Sequence, residues 1–145
     1  MTRDEALAIL KEHVKQENLV KHCLAAEAIM RALAQRLGED AEKWGIAGLL
    51  HALDFEETGA DPARHGKRAA ELLRAQGVPD DIVDAILHHN AEGLGLTRAT
   101  RFHHALAAAE TITGLIVATA LVYPDKKLAS VKPDSVTNPH FSPNG

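Results

Sequence analysis

Apolar positions along the chain recur three and four residues apart, and no run alternates convincingly with the two-residue period of a strand. Leu7, Leu10 and Val14 form the first such face. Thr2 and Glu5 stand ahead of it as a capping box, so the pattern predicts a helix to about Lys15. Asn18 can cap a second helix, "LVKHCLAAEAIMRALAQRLG", which Gly38 ends. Asp40 can cap a third, "AEKWGIAGLLHALDF", where Gly45 and Gly48 lie three apart and allow another helix to approach closely. Asp61-Pro62 opens a fourth through "ARHGKRAAELLRAQG", and Pro79 with Asp80 and Asp81 opens a fifth, "VPDDIVDAILHHN". After a flexible connector, "AEGLGL", Thr97 or Thr100 begins a long sixth helix ending near Tyr123-Pro124. The expectation is an all-α fold, a compact bundle of about six helices.

The length of 145 residues suits one domain, placed at residues 1–131. Residues 132–145, rich in Pro, Asn and Ser, lack a periodic apolar face and read as a disordered or truncated tail. Aromatic residues are 3% of the chain, which favours helices packed through Ala and aliphatic side chains. The formal net charge of −4 shows no basic footprint, so no nucleic-acid polymer is expected as a partner. The single cysteine, Cys23, excludes an internal disulfide framework and fits a reducing, cytoplasmic compartment. The start "MTRDEALAIL" reads as an amphipathic helix rather than a signal peptide. The stretch "ALAAAETITGLIVATALV" is long enough to span a membrane, but Glu110 and its threonines favour a buried helix instead.

The candidate chemistry lies in polar residues embedded in apolar helices. His22 stands beside Cys23, His51 follows "GIAGLL", His88 and His89 end "DIVDAIL", and Glu110 sits inside "ALAAAETITGLI". Buried polar groups need partners. Each has an ordinary reading: a core histidine bonded to a carbonyl, a His at a helix C-terminus, or Glu110 paired with Arg31 or Arg101. A single cause covers them together, namely imidazoles and a carboxylate from several helices converging on a divalent metal. Mixed nitrogen and oxygen donors suit Mn, Fe, Zn, Ni or Co without selecting among them, and Mg stays open as well.

The segments "KHCLAAEAIMRALAQRLGEDAEKWGIAGLLHALDFE", "HGKRAAELLRAQGVPDDIVDAILHHN" and "AAAETITGLI" resemble the HD-domain metal-dependent phosphohydrolase superfamily, in particular its small single-domain bacterial members. The likeness runs from about Val20 to Val131. The resemblance implies an all-helical fold and a metal site built from a histidine, an adjacent His-Asp pair and a distal aspartate. These fall on His22, His51, Ala52 and Glu110. Ala52 departs from the signature, because a methyl group cannot bind metal. Glu110 keeps the carboxylate on a longer arm. Further histidines that hold a second metal in some members correspond to His65, His88 and His89.

The implied function is hydrolysis of a phosphate ester (a monoester, a diester or a nucleotide) by metal-activated water. His22, His51, Glu110 and His88 form the expected metal set, and Asp54, His65 and His89 the expected catalytic set. Asp54 also has the spacing to stand in for the carboxylate missing at Ala52, if the helix continues through it. Lys67, Lys126 and Lys127 are candidate contacts to the phosphate of a small phosphorylated substrate. Two alternatives stay open: a degenerate domain that binds a nucleotide or a protein partner without turnover, and a hydrolase with an altered or metal-independent mechanism. Cys23 is not expected as a nucleophile, since adjacent helical side chains diverge by about 100°.

Overall fold

The structure is a computed structural model and describes residues 1–137. Its helices are α1 (Arg3–His13), α2 (Glu17–Leu37), α3 (Ala41–Leu50), α4 (Phe55–Thr58), α5 (Lys67–Ala75), α6 (Asp80–His89), α7 (Ala91–Leu94), α8 (Arg101–Val122) and α9 (Pro133–Thr137). A 3-10 turn lies at Leu128–Ser130. Among the described residues there is no strand, and α4, α7 and α9 are single turns. The all-helical expectation therefore holds, with six substantial helices where six were read.

Packing divides the chain into two compact units, Met1–Glu110 and Thr111–Gly145. In the first, Leu10, Met30, Leu49, Leu50, Leu53, Leu73, Ile86 and Leu106 are fully buried and form the centre of the core. Each contributes about 2 kcal/mol of burial. The Glu27 carboxylate is buried on α2 and takes a two-pronged bond from Arg3 at 2.7 and 2.9 Å. Arg31 bonds Glu27 and also Glu42, which stitches α1, α2 and α3 together. Arg31 is thus committed elsewhere, and Arg101 pairs with Glu39. Neither arginine neutralises Glu110.

Several boundaries depart from the expectation. The Thr2 box and the Asp40 cap form as read. Helix α2 starts at Glu17 behind Gln16, not at an Asn18 cap. The Glu56 carboxylate instead accepts the Lys15 and Gln16 amides at 2.9 and 2.7 Å. Helix α3 stops at Leu50 and passes into turns, so the continuous helix expected through Phe55 is broken. The fourth helix starts later than read, because Gly66 has φ +91 and interrupts the path from Pro62. The connector after α6 holds the helical turn α7, closed by Gly95 in the left-handed region. Thr100 caps α8 by accepting the His103 amide at 3.1 Å.

The second half of α8 is not the buried helix expected. Leu115, Val117, Leu121 and Val122 are exposed, while Thr113, Thr119 and Ala120 are covered. Helix α8 is long and apolar enough to cross a membrane by length and composition. The expected disordered tail begins inside the described residues, where Pro133–Thr137 forms a helical turn. The remainder of that expectation, residues 138–145, lies outside them.

Helix α3 meets α2 at Gly48. A Cβ there would lie 2.7 Å from the Ala26 carbonyl oxygen and 2.9 Å from the Glu27 amide nitrogen. Those are backbone atoms, so the close approach read from the glycine pair is real and requires glycine. Gly48→Ala should cost about 1–3 kcal/mol by overpacking. Urea unfolding of the variant checks this, and an unchanged midpoint would contradict the approach.

Candidate metal and acid–base site

The approach at Gly48 sets the first pair of imidazoles. His22 projects from α2 and His51 follows the last turn of α3, and their Nε2 atoms lie 3.1 Å apart. The His51 Nδ1–H donates to the Gly48 carbonyl at 2.6 Å, so the neutral ring leaves its Nε2 without a hydrogen. Glu110, from the first part of α8, offers a carboxylate oxygen within 4.8 Å of both histidine donor atoms.

A second pair lies alongside. His65 and His89 bring their Nε2 atoms to 3.0 Å. The His65 Nδ1–H donates to Asp54 Oδ1 at 2.7 Å. The His89 Nδ1–H donates to the Ile86 carbonyl. Asp54 is wholly buried and also accepts the Gly66 and Ala69 amides at 2.8 and 2.9 Å. Asn90 ties the same loop to the end of α6 by donating to the Pro62 and His65 carbonyls, each at 2.8 Å. Arg98 in turn donates to the His88 and His89 carbonyls. Every ring except His22 is therefore gripped at Nδ1 by an acceptor outside the pocket.

Leu19, His22, His51, Ala52, Phe55, His65, His89 and Glu110 line one cavity of about 210 Å³. Burial lowers the His22 pKa, with Glu110 opposing. Burial, then repulsion by His89, holds the His51 pKa far below the ordinary value. Burial also lowers the His89 pKa, to about 4. For Asp54 burial acts upward, but the bonds from His65, Ala69 and Gly66 outweigh it and the pKa is lowered. The site thus holds neutral His51 and His89 rings beside an ionised Asp54 that accepts three hydrogen bonds.

The His51 Nε2 lone pair faces His22 Nε2 at 3.1 Å, so it either accepts a proton from His22 or shares a cation with it. Ligand nitrogens about 2.0–2.1 Å from a metal stand about 3 Å apart when the angle at the ion is near 90°. The donor set His22, His51 and Glu110 therefore fits a divalent ion on its chemistry. Anchored Nδ1 atoms are the usual outer support of such ligands.

Three expectations need correction. His88 does not face the cavity. One residue rotates a helix by about 100°, and with His89 inward His88 turns toward α8. There it stacks on His103 at 3.8 Å and bonds the Asp84 carbonyl at 2.8 Å. His103 Nδ1 accepts the Ala99 and Thr100 amides, so its Nε2–H donates to Asp84 at 2.6 Å. In that tautomer His103 has no free nitrogen for a metal shared with Asp84 and His88.

Asp54 does not replace the carboxylate missing at Ala52, because the helix ends before it and its oxygens turn to α5. Lys67 is exposed at the start of α5 and does not line the cavity. Lys126 and Lys127 are exposed in the second unit, Lys126 with φ 54. Burial pushes the Cys23 thiol up to about 12, which removes it as a nucleophile. The sequence reading missed Phe55, and its one signal was a phenylalanine beside the His51 segment in an aromatic-poor chain.

The model of the HD domain family matches residues 19–120, which cover the whole site. The chain is 34% identical over 82 residues to Ribonuclease Y of Thermus thermophilus, covering 54% of this chain. It is 31% identical over 80 residues to that of Pseudothermotoga lettingae, covering 52%, and 31% over 101 residues to that of Deinococcus radiodurans, covering 67%. The matched stretches span 14–16% of those relatives' lengths. No solved structure matches at a significant level.

The lowered histidine pKa values set the acid response. The folded chain keeps His89 neutral, whereas the unfolded chain binds its proton below pH 6.5, so stability is complete above that value and falls as pH drops. In chelator, His89 alone should remove roughly 2 kcal/mol between pH 7 and 5, with His51 adding to the slope. Denaturant unfolding at the two pH values should show this and a shallower slope in His89→Gln. Equal slopes would contradict the buried neutral ring.

Proposed function

Because the chain belongs to the HD domain family, we propose that it hydrolyses a small phosphate ester, with a divalent metal held by His22, His51 and Glu110. The observation that carries this reading is the pair of facing Nε2 atoms at 3.1 Å beside the Glu110 carboxylate. When bound there, a divalent ion supplies Lewis acidity and makes water acidic enough to act as a nucleophile near neutral pH. Two neutral imidazoles and one carboxylate favour a first-row ion such as Zn, Fe, Co, Ni or Mn over Mg, which prefers oxygen ligands.

The remaining chemistry belongs to the Asp54–His65–His89 chain. Asp54 fixes His65 with Nε2 toward the cavity and stabilises the ring when it takes a proton, the role a carboxylate plays behind a catalytic histidine. His89 shares that proton at 3.0 Å, so the two rings can take it from attacking water and return it to a leaving oxygen. Leu19 and the Ala52 methyl line the same cavity. The Ribonuclease Y relatives make phosphodiesters a sensible first substrate class. The reading keeps a small substrate and a cytoplasmic setting, and gives Lys67, which does not line the cavity, no role in the chemistry.

A second reading rests on Ala52, whose buried methyl stands beside His51 where the family signature has an aspartate. Weak metal retention would leave a domain that binds a nucleotide or protein partner without turnover.

Metal titration with a phosphodiesterase assay decides between the two. In the hydrolase reading manganese or zinc raises the melting temperature, and His65→Asn lowers kcat about 100-fold while metal affinity is kept. Ligand binding without turnover at any metal concentration sinks the hydrolase reading. Ala52→Asp supplies an anionic donor, so it should bind manganese at least about tenfold tighter. It should also be less stable than the native chain in chelator, because its new charge is then buried and unpaired. Equal manganese affinity would show that residue 52 lies outside the ion's reach.

A further inference from the structure

We propose that Phe55 is a stacking platform for the base of a nucleotide whose phosphate enters the histidine cavity, an inference that rests on the phosphate-ester reading. The cavity, about 210 Å³, is smaller than the roughly 300–1,000 Å³ of pockets that enclose a whole small ligand. It admits a phosphate group, and the rest of a substrate must lie on the rim. Among the described residues no lysine or arginine lines that cavity, and its members without an ionisable group are Leu19, Ala52 and Phe55. Of these, Phe55 is the one with substantial exposed surface.

Phe55 is 46% exposed. Its exposure is not looseness. The ring stands edge-on to His65, 5.8 Å between centroids and 85° between planes. It also lies against Gly59, where a Cβ would sit 3.0 and 3.1 Å from ring atoms Cε2 and Cδ2. Phe102, by contrast, is stacked on Trp44 at 5.3 Å. Among the described residues no ring stacks on Phe55. The result is a held aromatic ring, partly open to solvent, beside the cluster that would take the phosphate. A sugar can span the gap between such a ring and a phosphate at His65. Aromatic side chains accept any base on their face, because every base has a π-surface.

Adenosine monophosphate and ribose 5-phosphate differ by the base, and calorimetry with each in the presence of manganese isolates its contribution. The native chain should bind adenosine monophosphate at least about tenfold more tightly, the stacking range for one base. Phe55→Leu should bind the two ligands equally and leave ribose 5-phosphate unchanged. Phe55→Trp should keep the preference. Because the side chain is half exposed, the variants should melt close to the native chain, and a collapsed Phe55→Leu would itself contradict the assignment by making Phe55 a core residue. Equal binding of the two ligands by the native chain, or a preference that survives Phe55→Leu, overturns the platform and leaves the phosphate-ester reading standing. Binding of neither ligand overturns both.

Discussion

Four imidazoles can share so small a volume only if their orientations are fixed from outside, and the fixing interaction is the same for three of them. The Nδ1–H of His51, His65 and His89 each donates to an acceptor on the far side of the ring. The consequence is a set of Nε2 lone pairs facing inward. This depends on backbone placement: the Gly48 carbonyl is available where α2 and α3 touch, and the Ile86 carbonyl is one turn before His89 at the end of α6. A carbonyl or carboxylate lost from any of these places would free a ring to rotate, and the donor set would disperse.

The second requirement is that the supports themselves be satisfied. Asp54 is the clearest case. A buried carboxylate with a single partner would be costly, but this one accepts two amides and a ring nitrogen. Gly66 makes that possible, since its positive φ turns the loop so that its amide and that of Ala69 both point at Asp54. Asn90 and Arg98 perform the same service at the end of α6. The apolar core and the polar site are thus one construction, with His51 and Asp54 buried as fully as Leu53 between them.

The helices were legible in the sequence because their apolar faces, caps and Pro or Gly punctuation agree. His22, His51 and Glu110 stood out because each interrupts an apolar run. What the sequence could not show is rotation about a helix axis and the place where a helix stops. His88 and His89 carry the same side chain at adjacent positions, and only the packing of α6 decides which one faces the cavity. Asp54 has the spacing of a ligand in a continuous helix, but α3 ends at Leu50 and the side chain serves His65 instead. Phe55 had no signal beyond its neighbourhood, since an exposed aromatic is recognised by where it stands.

The proposed metal site requires that the inward Nε2 atoms of His51 and His89 carry no proton. Long-range nitrogen–hydrogen NMR of the histidine rings tests it directly. In chelator at neutral pH, His51 and His89 should be neutral with the proton on Nδ1, and zinc should then shift the Nε2 resonances of His22 and His51. Spectra with the proton on Nε2 of His51, or rings unmoved by zinc, would contradict the account.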